Sequence, residues 1–275
     1  MPIQYKTADI SKKADVGELF ADKPDVVFHL AAVVSGEAEA DFDLGMRVNL
    51  FGSMNILDAA AKQTDEGGQM PVIIFASSVA VHGGEAPDLM IDGVELNPQT
   101  SYGSQKAVIE LLLQDYSRKG FLDGRGLRLP IATIRPGKAN AAASSFMSSI
   151  FRDTLQCNPA NCPVDKDFLV WHSAPRTVID NIIHAATIPA REFDYNRNLN
   201  LPGRTDWIEE MINQMTDVAG SEAARRISWN KDPVIEKIVS GWRGRFQPEK
   251  ALSLGFIADH SFADNVRYFL EDDIA

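Results

Sequence analysis

Short, continuous apolar runs alternate with longer stretches of helical spacing through the first half of the chain. Val26-Val27-Phe28-His29-Leu30 follows Lys23-Pro24-Asp25 and reads as a strand buried on both faces. Over 41–62, Leu44, Val48, Phe51, Ile56, Leu57 and Ala60 recur at roughly helical spacing and predict a long helix. Val72-Ile73-Ile74-Phe75 is a second buried strand, closed by Ala76-Ser77-Ser78. The stretch 82–100 is rich in Gly, Pro and Asp and reads as a loop. The spacing predicts a helix over 101–119, with Ile109, Leu112, Leu113 and Tyr116 on its apolar side. A third strand is expected over 127–134, ended by Arg135-Pro136-Gly137. Strands separated by helices of this length imply right-handed βαβ units and a parallel sheet.

Beyond Gly137 the pattern loosens. Residues 139–149 are small and polar, 157–167 read as a loop, and a helix is expected over 174–187. Leu199-Asn200-Leu201 resembles a last short strand, and the remainder is mostly helical, ending in a helix over 262–272. The expected fold class is α/β, a doubly wound parallel sheet with a small, mostly helical C-terminal lobe. The expected division is a core over 1–137 and a lobe over 138–275, with 168–201 returning to the core.

Composition narrows the classes. The chain has 275 residues, 45% of them hydrophobic and 24% charged, which suits a globular α/β protein with a sizeable core. A formal net charge of −11 argues against nucleic acid as a partner, since phosphates attract basic surfaces. No apolar run is long enough to cross a membrane, and the N-terminus carries no apolar signal segment. Cys157 and Cys162 lack nearby partners for a zinc site, so no metal is expected and both read as reduced thiols of a cytoplasmic protein.

The chemistry concentrates in two places. Ser77-Ser78 closes a buried strand, the end at which open parallel sheets carry their sites. Tyr102 and Lys106 lie four residues apart on a predicted helix and therefore share a face. A free tyrosine hydroxyl, with a pKa of about 10, is a poor base at neutral pH. A neighbouring ammonium favours the phenolate, so Tyr102 can take a proton from a substrate hydroxyl. A serine hydroxyl opposite would position the same oxygen, and whether Ser77 or Ser78 does so depends on strand register.

These elements, in this order, resemble an extended short-chain dehydrogenase/reductase of the NAD-dependent epimerase/dehydratase superfamily, with its Rossmann-like sheet. His29-Leu30-Ala31-Ala32 is similar to the strand end that lines the cofactor there, and Arg135-Pro136-Gly137-Lys138 to the segment passing the nicotinamide. Ala8-Asp9-Ile10 resembles the stretch whose Asp contacts the adenine side. The resemblance implies Ser78, Tyr102, Lys106 and Asn49 as catalytic residues, Asn49 being linked to the lysine through water. It implies NAD contacts at Asp9, Ile10, Leu30, Ala31, Ala32, Asn49, Tyr102, Lys106 and Pro136.

Longer strings are similar to one group within that superfamily, the D-erythronate dehydrogenases. They are Ala32-Val33-Val34-Ser35-Gly36-Glu37-Ala38-Glu39, Gly120-Phe121-Leu122-Asp123-Gly124, Arg135-Pro136-Gly137-Lys138-Ala139-Asn140 and Trp171-His172-Ser173-Ala174-Pro175-Arg176. That likeness implies NAD-dependent oxidation of the C2 hydroxyl of a small sugar acid. A carboxylate substrate needs a fixed cation or several donors. Arg176 and His172 are the candidates, with Ser35, Ser78 and Ser144 for hydroxyls. Arg176 reads equally as a surface ion-pair residue, and His172 as a packed core histidine. His29, inside an apolar run, reads as structural.

Family members begin with a strand, a glycine-rich turn and a helix whose N-terminus faces the pyrophosphate. Gly67-Gly68, Gly83-Gly84 and Gly124-Arg125-Gly126 do not follow a strand and open a helix in that way. The resemblance thus implies that the first βαβ unit is absent, with an open edge at the strand over 26–30 and a neighbourless strand over 4–8. A nucleotide-sugar epimerase or dehydratase, and a truncated non-catalytic relative unable to hold NAD, remain alternatives. A homodimer is expected by analogy.

Overall fold

The Val72–Ser78 strand lies inside a four-stranded sheet whose order is Val26–His29, Val72–Ser78, Asp123–Leu129, Asn198–Asn200. The computed structural model describes residues 3–139, 142–239 and 241–274. Val26–His29 pairs in parallel with Val72–Ser78, Val26 opposite Val72 and His29 opposite Phe75. The chain divides into two compact units. The first comprises Met1–Val81, Thr100–Arg128 and Ala185–Leu199; the second comprises His82–Gln99, Leu129–His184 and Asn200–Ala275.

In the first unit, Ile73 and Phe75 of the inner strand bury against Ile109 and Leu113 of the helix Ser101–Arg118 and against Ile56 and Leu57 of the helix Ser53–Asp65. Ile109 and Leu113 are the residues the periodicity assigned to the inner face. The tyrosine helix starts where Thr100, in extended conformation, accepts a hydrogen bond from the Gly103 amide on its side-chain oxygen, an N-cap that satisfies an orphan donor.

Several expectations need correction. Val26–His29 is not buried on both faces: Val26 and Phe28 are exposed, Phe28 by 42%, and His29 alone is buried. Val26 and Phe28, two residues apart, share one sheet face, and both are exposed there. Residues 4–8 form no strand, because no described strand pairs with them. The helix expected over 41–62 is broken into Phe42–Gly45, a π-helical Met46–Gly52 and Ser53–Asp65. The wider turn rotates Phe51 outward, and it is 51% exposed. The third strand runs from Asp123 to Leu129, earlier than expected. Its polar start is tolerated because Asp123 accepts from both Arg125 and Arg197.

The second unit holds a three-stranded sheet, Ile131–Ala132, Leu169–Ser173 and Arg204–Trp207, the first pair parallel and the second antiparallel. Helices Phe146–Leu155, Ile208–Ala219 and Phe262–Phe269 supply its core through Met147, Phe151, Met211, Met215, Phe262 and Val266. The stretch expected as a loop over 82–100 contains a strand, Leu89–Ile91, paired in parallel with Arg245–Gln247. Pro175–Thr187 is helical, as the spacing predicts.

Candidate active site

The end of the inner strand and the first two turns of the tyrosine helix meet in the first unit. Ser78 lies close enough to Tyr102 for its hydroxyl to oppose the upward push of burial on the tyrosine. Lys106, one turn along the helix, is 2% exposed and donates from Nζ to the Ala76 carbonyl at 2.8 Å. Its ammonium stands 4.6 Å from the Phe75 ring centre and 5.5 Å from that of Tyr102. Register separates the two serines. Ser77 is buried and donates to Glu110 Oε1 at 2.5 Å, while Ser78 faces the tyrosine and accepts from the Ala80 amide.

Asn49 lies in the π-helical segment and is buried. Its amide oxygen accepts from the Val33 amide at 2.8 Å, and its Nδ2 donates to the Val33 carbonyl at 3.1 Å and to Gln105 Oε1 at 2.8 Å. Asn49 thus clamps the segment after the Val26–His29 strand to the residue beside Lys106. Gly45 permits this: a Cβ there would stand 2.6 Å from Gln105 Nε2. The Asn49 carbonyl accepts from Ser53 Oγ, which is also bonded to His29 Nε2 at 2.8 Å.

Burial dominates the electrostatics. The Tyr102 hydroxyl is pushed up to about 12 by desolvation, with the Ser78 hydrogen bond opposing. From the sequence, a neighbouring ammonium is expected to lower the tyrosine pKa; burial pushes it the other way. Lys106 is pulled down to about 8 by the same desolvation, with Glu110 opposing. His29 is driven down to about 3 by burial, helped by the Lys106 charge.

The remaining candidates fall in various surroundings. Asp9 accepts from the Ser11 hydroxyl and amide at 2.7 and 3.0 Å, which hold its carboxyl below the usual range. Ile10 packs under Gly52, and its carbonyl accepts from Asn55. Leu30 and Ala31 are exposed at the strand end, Ala32 is half-buried, and Ser35 opens the short helix Ser35–Ala40.

In the second unit, Pro136 is exposed and Ser144 is half-buried in a 3₁₀ turn. Asn140 lies outside the described residues. His172 is fully buried, bonded through Nε2 to Asp206 at 2.9 Å and edge-on to Phe262. Arg176 donates to Asp272 at 2.6 and 2.7 Å and to Glu271 at 3.0 Å, and it covers the Tyr268 ring. These two arrangements match the alternatives of a packed histidine and an ion-paired arginine. Glu110 was not singled out from the sequence. Its only signal is a further four-residue step along the face that carries Tyr102 and Lys106.

The chain resembles known proteins along its whole length. The sequence model of the NAD dependent epimerase/dehydratase family matches residues 3–173. A D-erythronate dehydrogenase of Cupriavidus necator is 45% identical over 270 residues, covering 98% of this chain and 82% of that protein. One from Haemophilus influenzae is 42% identical over 257 residues, covering 94% and 80%. The crystal structure of a nucleoside-diphosphate-sugar epimerase from Agrobacterium tumefaciens superposes with a TM-score of 0.93 at 41% identity, covering 100% of this chain and 82% of that one.

Proposed function

Because this chain belongs to the NAD-dependent epimerase/dehydratase family and is an NAD-dependent oxidoreductase, we propose that it oxidises the C2 hydroxyl of a small, D-erythronate-like sugar acid. The single observation that carries the mechanism is the grouping of half-buried Ser78 and Tyr102 with the buried Lys106.

The residues here fit the nicotinamide end of the cofactor. Leu30 is exposed at the strand end beside the small Ala31 and Ala32. The Lys106 ammonium uses one of its three protons on Ala76, which leaves donors for ribose hydroxyls. Asp9, Ile10, Asn49 and Tyr102 complete the proposed cofactor contacts within the first unit. NAD, when bound, supplies the acceptor for the hydride leaving C2. Tyr102 Oη takes the proton of the C2 hydroxyl, and Ser78 Oγ hydrogen-bonds the oxygen that becomes the carbonyl. Lys106 stabilises the phenolate that must form first, which offsets the upward push of burial on Tyr102. Asn49 keeps the strand end and the lysine turn in place. The substrate roles of Ser35, Ser144, His172 and Arg176 are weaker, since His172 and Arg176 already have carboxylate partners.

The likeness to the sugar-nucleotide epimerase supports a second reading with the same proton-transfer group. The test is a rate comparison. NADH formation with D-erythronate and no conversion of UDP- or dTDP-sugars supports sugar-acid oxidation. Conversion of a UDP- or dTDP-sugar to an epimerised or dehydrated product without net NADH, and no oxidation of D-erythronate, replaces it with the second reading. We propose further that two copies associate through the tyrosine helix, where Val108 and Leu111 are exposed, as is Phe51 of the adjoining π-helical segment.

A further inference from the structure

The strand and the tyrosine helix are joined by two hydrogen bonds from consecutive strand residues: Ser77 Oγ donates to Glu110, and the Ala76 carbonyl accepts from Lys106. Ser78, the next residue, lies close to Tyr102. Glu110 is the deepest member, with 0% exposure. Arg128, on the neighbouring strand, grips its carboxylate with Nε at 3.0 and 3.1 Å and Nη2 at 2.7 Å. The Glu110 backbone carbonyl accepts from Asn198 at 3.2 Å. A carboxylate in the core is retained only when its charge and lone pairs are matched, and a serine and a forked guanidinium do that here.

We propose that Glu110 is a positioning residue of the active site. Anchored by Arg128 and Ser77, its carboxylate holds the strand and the helix in the register that sets Ser78 against Tyr102. It also fixes a negative charge one helical turn from the Lys106 ammonium. The inference rests on the proton-transfer reading of Tyr102 and Lys106.

Every charged group facing Lys106 enters the argument. Glu110 lies on its own helix and favours the ammonium. His29, on the outer strand, is neutral and does not oppose it. Tyr102, raised by burial, is uncharged in the free protein. Arg128 sits beyond Glu110 and is neutralised by it. The π-helical segment contributes Asn49, which is uncharged. Glu110 is therefore the negative charge that keeps a desolvated lysine protonated.

The test is a substrate-free titration of the Lys106 side chain by lysine-selective NMR, its resonance assigned by loss in Lys106→Arg. Glu110→Gln keeps the shape and removes the charge. Glu110→Gln/Arg128→Met removes both charges, so a folded protein is available if the single variant leaves Arg128 intolerably unpaired. The Lys106 midpoint is expected to fall by about one pH unit in Glu110→Gln, and by less in Glu110→Gln/Arg128→Met, where the loss of the Arg128 charge acts the other way. The alkaline limb of the kcat/KM profile should move down with it. An unchanged midpoint in a folded variant overturns the proposal. A wild-type protein that oxidises no sugar acid overturns the substrate reading instead and leaves the titration result standing.

Discussion

At the scale of single residues, the account depends on what burial does to ionisable groups. His29 is the clearest case. Its pKa of about 3 lies below the ordinary histidine value, because the imidazole is enclosed with Ser53 and stands near Lys106. The fold therefore holds it neutral, while the unfolded chain protonates it as the pH falls through about 6.5. The unfolded state binds the extra proton across that window, so stability present above it is lost on acidification. His29→Gln can still hydrogen-bond Ser53 but cannot take up the proton. It is expected to lose less stability than wild type between about pH 7 and about pH 4 in paired denaturant titrations. Equal losses would show that His29 does not titrate as the burial requires.

At the scale of elements, close approach of helix and sheet sets the site. A Cβ added at Gly124 would lie 2.5 Å from Leu113 Cγ and 2.7 Å from Ser117 Oγ. Gly124 also donates its amide to that hydroxyl. Gly124→Ala must push the tyrosine helix away from the sheet, at a cost of about 1–3 kcal/mol, measurable as a lower denaturation midpoint. An unshifted midpoint would mean that the helix is free to move.

The helix itself was legible in the sequence, since the Ile109–Leu113 spacing and the polar Thr100-Ser101 start are local signals. So was the Tyr102–Lys106 face. The π-helical turn was not, because an extra residue in one turn leaves the apolar spacing nearly helical while moving Phe51 to the surface. The open face of the outer strand was not legible either. Val26 and Phe28 read as core, because a continuous apolar run does not say whether anything packs on each face of the strand. Glu110 and Arg128 had no local signature, because their pairing joins residues 18 apart on different elements. Arg176 was legible as a cation, but its carboxylate partners lie about a hundred positions away, at 271 and 272.

At the scale of the whole molecule, the tyrosine helix has two faces with separate duties. One carries Tyr102, Lys106 and Glu110 inward. The other presents Val108 and Leu111, the latter 62% exposed, and Phe51 of the adjoining π-helical segment is exposed as well. Apolar side chains grouped this way on adjoining helices favour burial against another surface. Leu111→Glu is expected to convert a dimer to a monomer in light scattering without changing the circular dichroism. A wild-type mass equal to one chain would remove the dimer from the account. Among the described residues no helix is long and apolar enough to cross a membrane, and no cluster of side chains is arranged to hold a metal ion.

The central claim is that Tyr102 takes the substrate proton during NAD-linked oxidation of a small sugar acid. The most direct test is the initial rate of NADH formation from D-erythronate by wild type and by Tyr102→Phe, side by side. Phenylalanine keeps the ring that packs near Lys106 and removes only the hydroxyl. The account predicts a clear wild-type rate and a loss of at least about 10²-fold in the variant, with the fold retained. A Tyr102→Phe protein that oxidises D-erythronate as fast as wild type would contradict it.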